Sequence, residues 1–110
     1  MTFDEYQEQA HATSFNTEIG DDTLLYPVLG LLGEAGEIAN KAKKIYRDNS
    51  GYWNNQDIDK ILDEVADCCW YIAEICTQVG VSFDDIMKAN LRKLADRAER
   101  GVIGGNGDNR

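Results

Sequence analysis

The chain has 110 residues, of which 43% are hydrophobic and 28% charged, a composition typical of one soluble globular domain. Asp and Glu number 20 against 11 Lys and Arg, and the resulting charge of −9 argues against binding to a nucleic-acid polymer. Apolar runs are too short to cross a membrane and the first ten residues lack the apolar core of a signal peptide, so we expect a cytoplasmic protein.

The first half of the chain has the periodicity of two helices. The first is predicted over residues 3–12 and is followed by a break over residues 16–22. The second starts near Asp22 or Thr23, either of which can cap a helix, and continues to about Tyr46. Residues 47–56 are predicted to form a loop, so we expect the second and third helices to pack antiparallel.

Three glycines interrupt the second helix, at Gly30, Gly33 and Gly36. Each costs roughly 1 kcal/mol relative to alanine in a helix interior. Glycine at such positions permits the close approach of another backbone or of a ligand, and the alternative is tight helix packing alone. The two interpretations can hold together.

The third helix is predicted over residues 57–79 and ends at Gly80. Trp70, with Ala66 and Ala73, forms an apolar side separate from the main stripe. A helix that is apolar on more than one side is buried on more than one side, which in so short a chain indicates an oligomer. The main stripe comprises Ile58, Ile61, Leu62, Val65, Cys69, Ile72, Cys76 and Val79.

The fourth helix is predicted to begin at Ser82, because Ser82 and Asp85 match the pattern of a capping box. Its core stripe is formed by Met87, Leu91, Leu94 and Ala98. Residues 102–110 contain several glycines and no helical periodicity, so they are predicted to be a tail, either disordered or a flap. The sequence thus indicates one domain over residues 1–101 and a glycine-rich tail.

The three cysteines, Cys68, Cys69 and Cys76, all lie in the predicted third helix. Their number is odd and no CxxC motif is present, so they are interpreted as small buried hydrophobic residues in a reducing cytoplasm. A catalytic cysteine would need a histidine partner, and His11 is the only histidine. This pattern does not favour a thiol nucleophile.

Two pairs of carboxylates are the strongest chemical signal in the sequence. Glu34 and Glu37 in GEAGE, like Glu64 and Asp67 in DEVAD, are spaced i, i+3 and so share one side of a helix. On antiparallel helices the four carboxylates can converge, where each would raise the pKa of the others. A cation removes this repulsion, and oxygen ligands without His or Cys suit Mg²⁺ or Mn²⁺. Such a site supports phosphoryl chemistry.

Acid pairs of this kind are also common on solvated helix faces, so the spacing alone does not establish a site. Here both pairs interleave with apolar residues, for example Leu31 and Ile38 around the first pair and Val65 within the second. An unpaired charge buried among such residues would be costly. This context favours the metal site over the solvated face.

Polar residues outside the acid pairs are candidates for substrate contacts. On the predicted fourth helix, basic side chains can contact phosphates and an amide can contact a metal or a sugar hydroxyl. The alternative is that these cations only favour the helix dipole and the solvent. Tyr52 and Trp53, in the predicted loop, can either stack on a base or cover the core. The predicted substrate-binding residues are Asn90, Lys93, Arg97 and Lys41.

The segments GEAGEIANKAKK, DEVADCCWYIAEICTQVGVSFDDI and KANLRKLADRAERG together resemble the MazG-like nucleotide pyrophosphohydrolases of the all-α NTP-pyrophosphatase superfamily. The resemblance extends from about Tyr6 to Gly101. It rests on an ExxE motif followed, after a spacer, by ExxD, with a Lys/Arg-containing helix last. It implies an all-α, four-helix bundle-type fold that associates into homodimers or homotetramers.

The resemblance also implies an activity and a site. It implies that Glu34, Glu37, Glu64 and Asp67 bind Mg²⁺ and carry catalysis, while Asn90, Lys93 and Arg97 face the metals and phosphates. The reaction would be hydrolysis of a nucleoside triphosphate to the monophosphate and pyrophosphate, by water attack at the α–β phosphate bridge. The chain is a single module, unlike the tandem arrangement of the longer family members. Because the base-selecting residues vary across the family, the resemblance does not identify the preferred base.

Two alternatives remain open at the level of sequence. The first is a narrower enzyme of the same superfamily, specific for dUTP, dCTP or phosphoribosyl-ATP. The second is a helical oligomerisation or regulatory module without activity, in which the acids are merely solvated. A di-iron carboxylate bundle is not favoured, because it requires ExxH pairs and neither motif contains histidine.

Overall fold

The computed structural model describes residues 1–15 and 19–110, which form four α-helices and contain no β-strand. The all-α prediction is confirmed. Part of the predicted break, residues 16–18, lies outside the described residues. Across the described parts of the chain, no helix is both long and apolar enough to span a bilayer. The helices are α1 (Phe3–His11), α2 (Leu25–Asn49), α3 (Asn55–Val79) and α4 (Phe83–Arg100).

The hairpin of α2 and α3 has a shorter turn than the sequence predicted. α2 continues past Tyr46 to Asn49, so the predicted loop over residues 47–56 is wrong at both ends. Asn54 caps α3 by accepting a hydrogen bond from the Asp57 N–H at 2.8 Å, and the Asp57 carboxylate accepts one from the Asn54 N–H at 3.3 Å. This reciprocal capping box, which sequence analysis did not identify, starts α3 two residues early.

The other helix starts were closer to prediction. Asp22 provides hydrogen-bond acceptors for the free backbone N–H groups at the start of α2. Its Oδ1 accepts from the N–H groups of Leu24 and Leu25 at 2.8 and 3.0 Å. At α4, Ser82 Oγ accepts from the Asp85 N–H at 3.1 Å, which is the predicted serine half of a capping box.

A small core lies where α1 and the C-terminal half of α3 meet the start of α4. Phe3 stacks on Phe83 with the ring centroids 4.8 Å apart. The α1 side chain of Gln7 bonds both neighbouring elements, since its Nε2 donates to the Val81 carbonyl at 2.8 Å and its Oε1 accepts from the Phe83 N–H at 2.9 Å. The buried core residues are Ala10, Ala73, Cys76 and Phe83.

A buried carboxylate also ties α1 to α3. Glu74 is 1% exposed, and its oxygens lie 3.1 and 3.2 Å from Nδ1 of His11. Gln78 Nε2 donates to the same carboxylate at 2.8 Å. A carboxylate removed from water needs such partners, so the lone histidine has a structural role at this helix contact.

The single chain leaves much apolar surface uncovered. Its radius of gyration is 17.0 Å, against roughly 13 Å for a compact domain of about this size. Its accessible surface is 7793 Å², against roughly 6100 Å² for a compact monomer of this mass. Much of this uncovered surface belongs to the predicted apolar stripe of α3, of which Ile58, Leu62, Val65 and Val79 are exposed. The prediction that the cysteines are buried holds for Cys76 and is wrong for Cys69, which is exposed.

Candidate active site

Three of the four predicted acids converge between α2 and α3. Glu34, Glu64 and Asp67 each offer a carboxylate oxygen, and these oxygens all lie within 4.8 Å of one another. The i, i+3 spacing places the two α3 acids on the same face, and the antiparallel pairing of the hairpin brings Glu34 opposite them. Glu34 and Glu64 are half-buried, whereas Asp67 is exposed.

The electrostatics of this acid cluster act most strongly on Glu34. A hydrogen bond with the Glu64 side chain raises the pKa of Glu34, and partial desolvation and the charges of Glu64, Asp67 and Glu37 raise it further. The folded chain therefore holds a proton on Glu34 more tightly than a free glutamate does. A divalent cation would compete for the same oxygens.

Glu37 stands apart from the other three acids. It is exposed and does not belong to the group of oxygens that lie within 4.8 Å of one another. It lies one turn beyond Glu34 on the same helix, close enough for its charge to raise the pKa of Glu34. The structure thus separates the four predicted ligands into three convergent carboxylates and one neighbour.

Lys41 contacts the acid cluster. Its Nζ lies 3.5 Å from Oε1 of Glu64, and both side chains are partly buried, with exposures of 32% and 18%. Lys41 is two turns beyond Glu34 on α2, so the helix itself positions it over α3. The predicted substrate-binding lysine is therefore adjacent to the carboxylates.

An aromatic cleft of about 380 Å³ opens on the other side of the acids. Its walls are Tyr26, Trp70 and Tyr71, and Glu34 and Asp67 line the same space. The ring centroids of Tyr26 and Tyr71 are 6.3 Å apart, and the Trp70 ring meets Tyr71 edge-on at 5.1 Å. The aromatic cleft thus places three aromatic side chains beside two carboxylates.

Two contacts hold the aromatic walls in place. The Trp70 indole N–H donates to Thr13 Oγ1 at 2.9 Å, and that hydroxyl donates to the Ala10 carbonyl at 2.7 Å. On α2, a β-carbon at Gly30 would lie 2.1 Å from Tyr71 Cε1. The neighbour of Gly30 is a side chain of α3, which is the tight helix packing given as the alternative, whereas Gly33 and Gly36 have no neighbour within 4 Å.

The profile of the MazG nucleotide pyrophosphohydrolase domain matches residues 22–102, a span that contains both acid motifs and the aromatic walls. This chain belongs to the MazG family. A relative named Gene 37 protein, from Mycobacterium phage L5, is 43% identical over 114 aligned residues that cover the full length of both proteins. No solved structure matches the chain significantly.

The MazG domain of this chain does not bring its α4 candidates to the acids. Among the described residues, no hydrogen bond or ion pair joins Asn90, Lys93 or Arg97 to the acid cluster. Asn90 and Lys93 are exposed, and α4 packs chiefly against α1. In a single chain, therefore, their predicted contacts with metals and phosphates have no counterpart.

Arg97 is instead held by the tail. It is 4% exposed, and its Nη2 donates to the Asp108 carbonyl at 3.2 Å and lies 3.8 Å from the Asp108 carboxylate. Arg100 also donates to the carbonyl of Arg110 at 2.7 Å. The glycine-rich tail of the MazG chain thus folds back along α4 and contacts Arg97, a residue predicted to contact phosphates.

The aromatic residues of the cleft are not the two that the sequence offered for base stacking. Tyr52 and Trp53 are exposed in the turn between α2 and α3 and do not line the aromatic cleft. Tyr26 was not recognised and Trp70 was assigned to an apolar packing side, whereas helical spacing did place Tyr71 on the same flank as Glu64 and Asp67. The available signal was helical spacing, because Trp70 and Tyr71 follow Asp67 by three and four residues and so lie one turn along the same face.

The donor set fits a hard divalent cation. All the converging ligand atoms are carboxylate oxygens, the type that Mg²⁺ prefers, and the raised pKa of Glu34 indicates negative charge that is not fully compensated. Cys68 lies beside these acids, but burial and their charges raise the pKa of its thiol. The thiol is therefore held protonated and is a poor ligand and nucleophile.

Proposed function

We propose that this MazG protein hydrolyses a nucleoside triphosphate to the monophosphate and pyrophosphate, with Mg²⁺ held by Glu34, Glu64 and Asp67. The observation that carries the proposal is the convergence of these three carboxylates beside an aromatic cleft. The family supports pyrophosphohydrolase activity on a nucleotide. The triphosphate substrate, the metal and the assignment of residues are the proposal.

In this mechanism the nucleoside occupies the aromatic cleft. Tyr26, Trp70 and Tyr71 surround the base, which stacks on one of these rings, and the sugar carries the phosphates toward the acids. Base stacking of this kind tolerates many bases, because every base offers a flat face. The cleft therefore positions the substrate but does not by itself select one nucleotide.

The chemistry occurs where the phosphate chain passes the carboxylates. Mg²⁺ bound there would supply Lewis-acid stabilisation of phosphate oxygens and increase the acidity of a water molecule. Glu37, one turn from Glu34 and outside the convergent group, accepts the proton of the attacking water. The new bond joins the water oxygen to the α-phosphorus, and the bridging P–O bond breaks to release pyrophosphate. Lys41 offsets the negative charge beside Glu64.

The working form is a homodimer or homotetramer in this proposal. The uncovered apolar surface on α2, α3 and α4 supports association, since Leu32, Leu62 and Leu91 are each more than half exposed in the single chain. The excess of surface over a compact monomer is of the size that a stable interface buries. A partner helix could then supply cations to the acid cluster, which is a role open to Lys93.

The test is pyrophosphate release from the common ribo- and deoxyribonucleoside triphosphates, each measured with Mg²⁺ and with EDTA. We expect Mg²⁺-dependent release by the wild type. Glu64→Gln should reduce turnover about 100-fold or more and abolish the rise in melting temperature caused by Mg²⁺. Asp63→Asn is the matched control, because Asp63 is exposed, precedes Glu64 and lies outside the acid cluster.

Glu37→Gln separates the two roles open to that residue. Loss of turnover with the Mg²⁺-induced stabilisation retained would support the proton acceptor, whereas loss of both would make Glu37 a metal ligand. Release of pyrophosphate at the wild-type rate by Glu64→Gln, or no release from any triphosphate by the wild type, would refute the proposed activity.

A further inference from the structure

A second cleft, of about 500 Å³, lies at the turn end of the α2–α3 hairpin. Three lysines line it: Lys41 and Lys44 from the last turns of α2, and Lys60 from the first turns of α3. Asn49 and Asn54 add amide groups to the same walls. This lysine cleft has the donors that a phosphate group requires.

The lysine cleft adjoins the acid cluster through Lys41. Lys41 lines the cleft and also lies 3.5 Å from Glu64. At a rise of 1.5 Å per residue, position 44 lies about 15 Å beyond position 34 along the axis of α2, and position 60 lies about 6 Å before position 64 along the axis of α3. Tyr26 lies about 12 Å from Glu34 in the opposite direction. Along the hairpin, the order is therefore aromatic cleft, acid cluster, lysine cleft.

The charge of this region is opposite to that of the whole protein. The net charge of the protein is −9, whereas residues 41–60 carry five basic residues, Lys41, Lys43, Lys44, Arg47 and Lys60, against three acids, Asp48, Asp57 and Asp59, and so a net charge of +2. A polyanionic substrate is repelled by the protein as a whole and needs a local positive potential to bind. The lysine cleft provides one next to the carboxylates.

The acids in the lysine cleft are already engaged. Asp48 accepts two hydrogen bonds from Arg47, at 2.7 and 2.8 Å, and Asp57 belongs to the capping box of α3. Within the described residues, no ion pair within 4.0 Å involves Lys44 or Lys60. Their ammonium groups are thus available to an anion that enters the cleft.

We infer that the lysine cleft binds the pyrophosphate part of the substrate, with Lys44 and Lys60 as phosphate contacts in addition to Lys41. This inference rests on the proposed function and gives the substrate a direction. The base lies toward Tyr26, the α-phosphate lies at the acid cluster, and the β- and γ-phosphates point toward the turn between α2 and α3. In the same chain, Arg97 is bound by Asp108, so the predicted pair of Lys93 and Arg97 does not have both of its cations available.

Isothermal titration of inorganic pyrophosphate in Mg²⁺ buffer tests this inference without relying on turnover. Pyrophosphate should bind the wild type, and Lys44→Gln/Lys60→Gln should raise its Kd about tenfold or more, because two charged contacts are lost. Lys88→Gln/Arg92→Gln removes the same charge from exposed positions of α4 outside the cleft and should stay within about twofold of the wild type. Lys44→Arg/Lys60→Arg should restore most of the affinity.

Equal pyrophosphate affinity in the two glutamine double variants, or no binding by the wild type, would overturn the assignment of the lysine cleft. If the wild type nevertheless releases pyrophosphate from a triphosphate, the proposed function stands without this subsite. Cleft-dependent binding without turnover of any triphosphate would support the subsite and refute the proposed reaction. Circular dichroism and the melting temperature of each variant establish that it is folded.

Discussion

The ring of Tyr71 on α3 lies so close to Gly30 on α2 that a β-carbon at position 30 would be 2.1 Å from Cε1. The same ring forms a wall of the aromatic cleft and meets Trp70 edge-on. One glycine therefore lets the two long helices approach at the point where the cleft begins. A side chain at that position would have to displace the wall.

This contact predicts opposite effects for two glycine substitutions on one helix. Gly30→Ala should lower the free energy of unfolding by about 1–3 kcal/mol, because Tyr71 must move out of its packed position. Gly33→Ala, where nothing lies within 4 Å of the added carbon, should raise it by up to about 1 kcal/mol through helix propensity. Urea unfolding checks both, and a Gly30→Ala variant as stable as Gly33→Ala would contradict the packing seen here.

The raised pKa of Glu34 predicts how metal-free protein responds to pH. Its pKa is raised above the ordinary 4.5, first by the hydrogen bond with Glu64 and then by desolvation and neighbouring negative charge. The folded state therefore binds the proton more tightly than the unfolded chain. The stability this provides is complete below about pH 4.5 and is lost as the pH rises through the pKa of the folded state.

Glu34→Gln tests this pH dependence. In EDTA at pH 7 the variant should melt at a higher temperature than the wild type, because it removes an ionised carboxylate from the acid cluster. Addition of Mg²⁺ should reverse the order, since the cation stabilises only the intact set of ligands. Melting curves from pH 4 to 8 provide the measurement. A Glu34→Gln protein that melts below the wild type in EDTA at pH 7 would show that repulsion between the carboxylates does not determine the stability of this site.

Removal of the Tyr26 ring should weaken substrate binding more than it slows turnover. Stacking of a base on an aromatic side chain contributes about 1–3 kcal/mol, so Tyr26→Ala should raise the KM for the preferred triphosphate about 5- to 100-fold. Tyr26→Phe keeps the ring and should behave nearly as the wild type does. Tyr52→Ala removes an exposed tyrosine outside the aromatic cleft and should leave KM unchanged. Equal KM values for the two alanine variants would remove Tyr26 from the binding site.

The uncovered face of α3 predicts self-association. Leu62 is 55% exposed in the single chain, and Glu at this position would place a charge in any interface that covers it. Leu62→Glu should shift the protein from a dimer or tetramer toward monomer in analytical ultracentrifugation. Lys88→Glu introduces the same side chain at an exposed polar position and should not. A wild-type protein that sediments as a monomer would contradict the prediction directly.

Local patterns in the sequence were sufficient to predict the helices and where two acid pairs lie on them. Helical spacing is a property of the backbone, so i, i+3 positions share a face in any helical context. The termination of α3 at Gly80 follows equally local rules, since its positive φ of 77° suits glycine. The turn after α2 was predicted too long at both ends, because α2 continues to Asn49 and the capping contact between Asn54 and Asp57 starts α3 at Asn55.

Only the tertiary structure decided how these local elements combine into a candidate site. Helical spacing gives each acid pair a face but not the distance across the hairpin, so Glu34 joins Glu64 and Asp67 while Glu37 remains outside. The aromatic cleft depends on side chains from three elements, and Arg97 is occupied by a tail residue eleven positions away. Such contacts depend on the relative placement of whole helices, which one-dimensional periodicity does not specify because it describes each helix without its neighbours.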